Sequence, residues 1–365
     1  MSSGWNRKTS CLTISVADSR HSTRGRLAAL VMLGLAVLWA LAGCSRAPDS
    51  VTLNGSTMGT VWTVRLATLP PELDVAELRS GIEQLLETVN AEMSTYRDDS
   101  VITAFNLAAP GEVINIPPGF GTVLSEALYW AEATDGAFDP TAGPLVSLWG
   151  FGPERAVELP PSLERLEAAR ARVGWEQLDF ESEQNLLQQP GSVHLDLSAI
   201  AKGWAVDLVT EHLLSLGLDG FLVDIGGDLR VQGRRPDGGP WRIAIERPVP
   251  GVRESQQVLE LSSIALATSG DYRNFFEMDG RRLSHLIDPR SGWPIDHATV
   301  SVTVAADSCL RADVLATALS VLEFEHAWEL ALTQNLAVFW LLANGELLDE
   351  RMTPAFQRLI ESGEN

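Results

Sequence analysis

An α+β fold of mixed, mainly antiparallel sheets with flanking helices is what the sequence predicts, and three observations predict it. Segments with helical spacing crowd the region between Val75 and Val173. Alternating apolar strands crowd the region from Phe221 to Thr268 and recur after Val300. Across 365 residues, a hydrophobic content of 45% can fill a core that serves both.

The amino terminus stands apart. Arg7, Lys8, Arg20, Arg24 and Arg26 precede an apolar run from Leu27 to Leu41 that closes on Leu41-Ala42-Gly43-Cys44. A basic flank, a short apolar run and small residues describe an export signal, and the run falls short of the roughly 20 residues a bilayer span needs. Residues 1–43 read as the signal peptide and 44–50 as a polar tether, with the folded domain at 51–365. An uncleaved anchor is the other reading, and both put the domain outside the cytoplasm. Residues 1–43 contribute +4 to the net charge of −21, which leaves −25 on the remainder. So acidic a chain has no basic stripe to neutralise phosphates, which excludes a nucleic-acid binder and charge-driven adhesion to anionic lipid. Beyond the signal only Cys44 and Cys309 remain. The fold is therefore expected to rest on its core, with Cys309 a small buried residue.

From Thr60 to Leu66 the residues alternate as a strand, entered through Met58-Gly59. Val75–Met93 has helical spacing, and a second short helix through Val101, Ile102 and Phe105 follows the loop Ser94-Thr95-Tyr96-Arg97-Asp98-Asp99-Ser100. Tyr96 and Arg97 could stack on and clamp a flat anion, or the loop is plain connection. Pro118–Thr134 reads as a helix. Residues 135–146 read as a stiff, partly apolar loop without regular structure, because two glycines and two prolines fall within ten residues. Arg155–Val173 reads as a peripheral helix.

His194–Asp207 is the centre of the chain. Its first part reads as a strand running into Asp196, and from Ala199 onward the spacing is helical through Ile200, Trp204 and Leu208. An acid, a hydroxyl and Lys202 thus meet at a strand-to-helix junction, where free amides suit an anion. Asp196 or Ser198 could equally be a helix cap. Gly226-Gly227 lacks the context of a dinucleotide fingerprint and reads as a hairpin turn. Ser269–Asn274 and Ser284–Gly292 are polar connections, the second carrying His285. In the helix after Asp307, Asp313 and Thr317 lie one turn apart. An acid and a hydroxyl on one face make an oxygen ligand set suited to magnesium, or a buried hydrogen bond. A further helix is read at Glu323–Leu332 and a strand at Ala337–Leu342.

These stretches together resemble the ApbE family of flavin transferases. The motifs are Thr57-Met58-Gly59-Thr60, Ser94-Thr95-Tyr96-Arg97, Phe138-Asp139-Pro140-Thr141-Ala142-Gly143-Pro144-Leu145-Val146 and Asp196–Gly203. They continue with Gly226-Gly227-Asp228, Thr268-Ser269-Gly270-Asp271-Tyr272, His285-Leu286-Ile287-Asp288-Pro289-Arg290 and Ala312–Ala318. Their order is the family's. Leu41-Ala42-Gly43-Cys44 likewise resembles the lipobox of bacterial lipoproteins, which implies lipidation of Cys44. Asp224 departs from the pattern, standing where a more neutral residue is expected.

The resemblance implies a single domain, with room for two lobes around a cleft for FAD, and cleavage of FAD at its pyrophosphate. FMN passes to a threonine hydroxyl of an acceptor flavoprotein, an exported or membrane redox subunit, and AMP leaves. It implies Mg2+ held by Asp313, Thr317 and the carbonyl of Ala199. Met58, Tyr96, Ala137, Phe138, Asp139, Asp196, Lys202 and Ile287 are expected to bind FAD, with Tyr96 stacking on a ring. His285 and Asp288 are expected to handle or orient the proton of the incoming hydroxyl. The helix after Asp196 is expected to aim amides at the phosphates. A lipid anchor on the periplasmic side of the inner membrane is expected, with Ser45 leaving outer-membrane sorting open. Two rivals are a hydrolase that delivers FMN to water and a lipid-anchored flavin-binding protein without catalysis.

Overall fold

Strict alternation along a few strands gives the central sheet two differently covered faces. On one face lie Val223, Val302, Val304, Val338 and Trp340, and on the other Leu222, Leu229, Phe339 and Leu341, all buried. The computed structural model describes residues 50–152, 160–248, 254–270, 275–278, 281–345 and 347–363. Residues 1–43, read as a signal peptide, Cys44, nearly all of the stretch read as a tether, and Asp271–Asn274 lie outside the described residues.

The chain begins with β1 (Val51–Thr57), β2 (Thr60–Leu66), α1 (Val75–Met93), α2 (Val101–Leu107), β3 (Val113–Asn115), α3 (Pro118–Ala133) and α4 (Gly143–Leu148). Then come α5 (Leu163–Arg170), β4 (Asp179–Glu181), β5 (Leu186–Gln188), α6 (Ala201–Ser215), β6 (Phe221–Ile225), β7 (Asp228–Gln232), β8 (Trp241–Glu246) and β9 (Ser255–Leu261). It continues with β10 (Ser263–Gly270), β11 (Phe275–Met278), β12 (Arg281–Ser284), β13 (Ile287–Asp288), β14 (Trp293–Pro294) and β15 (Thr299–Ala306). Last are α7 (Cys309–Val321), α8 (Phe324–Thr333), β16 (Ala337–Asn344), β17 (Leu347–Met352) and α9 (Pro354–Gly363).

Eight strands form one sheet in the order β1-β2-β6-β7-β10-β15-β16-β17, with every neighbouring pair antiparallel. Helices α1, α3, α6 and α7 cover one face in the main core, which holds Ile82, Leu86, Phe120, Val206, Leu315 and Leu319. The hairpin β8–β9 and α9 cover the other, through Ile243, Leu259 and Phe356. A satellite core of Leu145, Leu148, Trp149, Leu166 and Ile287 ties α4 and α5 to the β13–β14 hairpin. The predicted α+β class with mainly antiparallel strands is what forms, as one compact unit rather than two lobes.

Several local expectations need correction. Residues 194–196 belong to no strand: Leu195 exchanges backbone hydrogen bonds with the Asn106 side chain at 2.7 and 2.9 Å, and Asp196 N donates to the Pro140 carbonyl at 2.7 Å. The following helix begins at Ala201, two residues later than its spacing suggests. The loop read at 135–146 runs into α4, because Pro144 falls in the first helical turn, where its missing N–H costs nothing. Only Leu163–Arg170 of the peripheral stretch is helical among the described residues. Cys309 is fully buried as expected. Among the described residues no helix is long and apolar enough to cross a membrane.

Candidate functional site

Two hairpin turns and one helix crossing build the site. Met58-Gly59 joins β1 to β2 with φ of 48° and 71°, and Gly226-Gly227 joins β6 to β7 with φ of 65° and 101°. Positive φ at both central residues is the twist that two-residue hairpins prefer. Because β2 pairs with β6 the turns lie side by side, and Gly226 N donates to the Val61 carbonyl at 3.0 Å. Asp224 closes its turn by accepting from Gly227 N at 3.0 Å, which gives the unexpected acid a local role.

Helices α6 and α7 meet at Gly203, where an added Cβ would lie 2.3 Å from the Cys309 carbonyl oxygen and 2.8 Å from Asp313 Cβ. That approach lets Gly203 N donate to Asp313 Oδ2 at 2.9 Å. Asp207 fixes the crossing by accepting from the amides of Cys309 and Leu310 at 3.0 and 2.9 Å, backed by Arg230 at 3.0 Å. The Asp196 corner and the Asp313–Thr317 face therefore share one site.

Two adjoining cavities open there. One, of about 690 Å³, is lined by Met58, Tyr96, Asp196 and Lys202. The second, of about 460 Å³, is lined by Ala137, Phe138, Asp139, Ala199, His285, Ile287, Asp313 and Thr317. Val146, Phe151, Asp196, Ser198 and Lys202 line both and join them into a bipartite cleft. Tyr96, 69% exposed, offers its ring in the first part. Phe151 stands edge-on to the His285 ring at 6.1 Å in the second. A Cβ at Gly143 would fall 2.9 Å from that of Asp196, so only glycine lets the 135–146 loop close on the corner.

The floor of the cleft is charged. Lys202 Nζ lies 2.6 Å from Asp228 Oδ2 and 3.2 Å from each Asp313 oxygen, and both carboxylates are almost wholly buried. Burial alone would lower the lysine, but Asp228 and Asp313 overcome it and hold the ammonium charged. Burial, and then the nearby Asp228, push the Asp313 carboxyl up, against the pull of Lys202 and the Gly203 amide. In the second cavity, burial raises the Asp139 carboxyl although it accepts from Thr141 N and Oγ1.

All the residues expected to bind FAD or magnesium line this cleft, as does His285. Asp288 lines neither cavity: its carboxylate accepts from Arg290 at Nε (2.9 Å), Nη2 (3.0 Å) and N (3.0 Å), which closes the β13–β14 hairpin. Arg97 likewise pairs with Glu87 and Asp99 and pins the loop beneath Tyr96. The amides expected to face an anion are largely engaged. Ser198 N donates to Asp196 Oδ1, Ile200 N and Ala201 N to the Leu197 carbonyl, and Gly203 N to Asp313. Asp196 is an Asx-turn residue, not a helix cap, and Lys202 is the cation of the corner. The sequence reading missed Asp228, which stands directly after the Gly-Gly turn, lines neither cavity and reaches the site through Lys202.

The donors expected to hold a metal fit a hard cation: one carboxylate, one hydroxyl a turn away and one peptide carbonyl, all oxygen, from residues that line the same cavity. Among the described residues no group of three or more His, Cys, Asp or Glu is arranged to hold a metal, and this set carries a single carboxylate. Such a set leaves half of an octahedral magnesium's positions to substrate and water, and magnesium usually keeps several waters.

The ApbE family pattern matches residues 58–340. The chain is 42% identical to the FAD:protein FMN transferase of Vibrio cholerae over 90% of this chain and 98% of that one. It is 39% identical to that of Haemophilus influenzae, covering 91% and 98%. Among solved structures, the flavin transferase ApbE of Vibrio cholerae superposes with a TM-score of 0.80 at 41% identity, covering 85% of this chain and 99% of that one. The apo flavinyl transferase ApbE of Pseudomonas stutzeri gives 0.79 at 40% identity, covering 86% and 97%.

Proposed function

The chain belongs to the ApbE family of flavin transferases, and on that premise we propose how its cleft works. It is an FAD:protein FMN transferase that moves FMN from FAD through a phosphoester bond to a threonine of an acceptor flavoprotein and releases AMP. One observation carries the reading: the two cavities join at Lys202 and Asp196, directly over the Asp313–Thr317 face. A dinucleotide laid across both parts would have its pyrophosphate near that junction.

In the reaction the threonine oxygen forms a bond to the FMN-side phosphorus, and the bridging P–O bond to AMP breaks. Tyr96 and Met58 hold one end of the substrate, and Ala137, Phe138, Asp139 and Ile287 the other. Lys202 offers a fixed positive charge to the pyrophosphate. His285 takes the proton of the incoming hydroxyl, and Asp288 acts on it only by shaping the hairpin beside it. Asp313, Thr317 and the Ala199 carbonyl would hold Mg2+, which supplies neutralisation of charge on the phosphoryl oxygens. The rest of the rate comes from positioning.

The test is incubation of the protein with FAD, magnesium and candidate exported redox proteins, followed by mass spectrometry. A covalent FMN adduct on a threonine, with stoichiometric AMP, is the expected result. AMP and free FMN with no adduct on any acceptor would assign a hydrolase instead. Bound FAD left intact would assign a binding protein.

The signal-like residues 1–43 and the lipobox-like Leu41-Ala42-Gly43-Cys44 support a lipid anchor on Cys44 at the periplasmic face of the inner membrane. Cys44→Ser should move the protein from the membrane to the soluble fraction while its transfer activity in vitro is kept. Retention in the membrane would mean a different anchor.

A further inference from the structure

The lysine in the floor of the cleft occupies ground that a cation would need. Lys202 Nζ faces both oxygens of Asp313 at 3.2 Å, and Oδ2 also accepts from Gly203 N. A magnesium ion binds oxygen at about 2.0–2.1 Å, so on the side of Asp313 that Lys202 faces it competes with the ammonium. If Asp313 were the lysine's sole counter-ion, each bound cation would leave the half-buried ammonium without a partner. Asp228 changes this. Its Oδ2 is the nearer contact at 2.6 Å, and its side chain is 5% exposed.

We propose that Asp228 is a positioning residue of the cation site: it retains the Lys202 ammonium when a divalent cation settles on Asp313, and so removes the lysine as that cation's competitor. This rests on the assignment of Asp313 as a cation ligand. Two carboxylates against one ammonium leave a formal charge of −1, so a cation enters without the lysine leaving. The cleft then presents two positive centres to a pyrophosphate. The fold places Asp228 for this task. It is the first residue of β7, paired with Ile225, and the Gly226-Gly227 turn fixes where its side chain enters the floor.

The role predicts a dependence on Lys202 that neither a direct ligand nor a general field effect would show. Binding of Mn2+, followed by electron paramagnetic resonance, and of Mg2+, followed by calorimetry, is measured on the FAD-free protein for a double-mutant cycle. Asp228→Asn should weaken binding at least about tenfold when Lys202 is present, in the range of losses seen for groups that orient metal ligands. In a Lys202→Met background the same change should cost less than about threefold, because there is no ammonium left to hold. Asp228→Glu should stay within about threefold of the parent protein. Lys202→Gln is a second neutral background should Lys202→Met fail to fold by circular dichroism. Equal losses in both backgrounds, or no loss from Asp228→Asn with Lys202 intact, would overturn the proposal. Asp313→Ala separates it from the reading beneath: if that variant binds cations normally, the ligand assignment falls and this role with it. If it loses binding while the cycle is flat, only the role of Asp228 falls.

Discussion

Asp313 and Tyr96 illustrate how differently two residues of one cleft are held. Asp313 is buried, with Gly203 and Lys202 as fixed partners, whereas Tyr96 is largely exposed on a loop that Arg97 pins. Asp313→Ala should leave the fold largely intact, since Lys202 keeps Asp228 as a partner. It should reduce AMP release from FAD on the order of a thousandfold, the several kcal/mol that a phosphoryl-bound cation supplies. A magnesium titration of initial rates checks this, and wild-type rates would remove the metal assignment. Tyr96→Ala should raise the dissociation constant for FAD about tenfold, the worth of one aromatic stack, with the magnesium dependence unchanged. Fluorescence titration of FAD reads it, and equal affinity would end the stacking role. The sequence showed both residues because each sits in a recognisable motif. It could not show that Arg97 and Asp288 turn to local partners, since an ion pair depends on where side chains end up rather than on which residues are present.

At the scale of elements, the crossing of α6 and α7 decides the site. The close approach exists because residue 203 has no side chain, and Asp207 clamps the start of α7. Gly203→Ala would push its Cβ against backbone, not a movable side chain. We expect a loss of about 1–3 kcal/mol in stability, typical of overpacking, together with a higher magnesium requirement. Thermal melts and metal titrations on one preparation check the pair of effects, and an unchanged metal requirement would show that the crossing tolerates separation. Helices α1, α2, α3, α6, α7 and α8 were legible in sequence to within about two residues, because apolar spacing marks them, whereas α4 was read as loop, α5 as a longer helix, and α9 was not read. The false strand at 194–196 was not distinguishable: alternation reports burial of one face, and here Asn106 supplies the backbone partner that a neighbouring strand would provide.

For the whole molecule, the sheet separates the cleft from the second core. Phe356 is fully buried, stacks on Phe339 at 5.6 Å, and lines neither cavity. Phe356→Ala should therefore cost about 3–5 kcal/mol of stability while KM for FAD holds in the protein that stays folded. A denaturant melt beside steady-state kinetics checks this, and a KM that moves with stability would mean the two faces are coupled. Sheet order was not readable in advance. Alternation identifies strands and their inner faces, but β10 lies between β7 and β15 only because the β8–β9 hairpin folds away over the other face.

By itself the sequence determined which residues could carry chemistry, where most of the longer helices and the main strands would form, and which family's motifs they spell in order. Those are properties of residue type and spacing along one chain. Tertiary structure alone decided that Asp228 shares the lysine with Asp313, that Asp288 serves its hairpin, and that the corner's amides are largely occupied within the protein. The first is settled by distance between segments far apart in the chain and the other two by how short turns aim their side chains and amides, and a few ångströms separate a ligand from a structural partner.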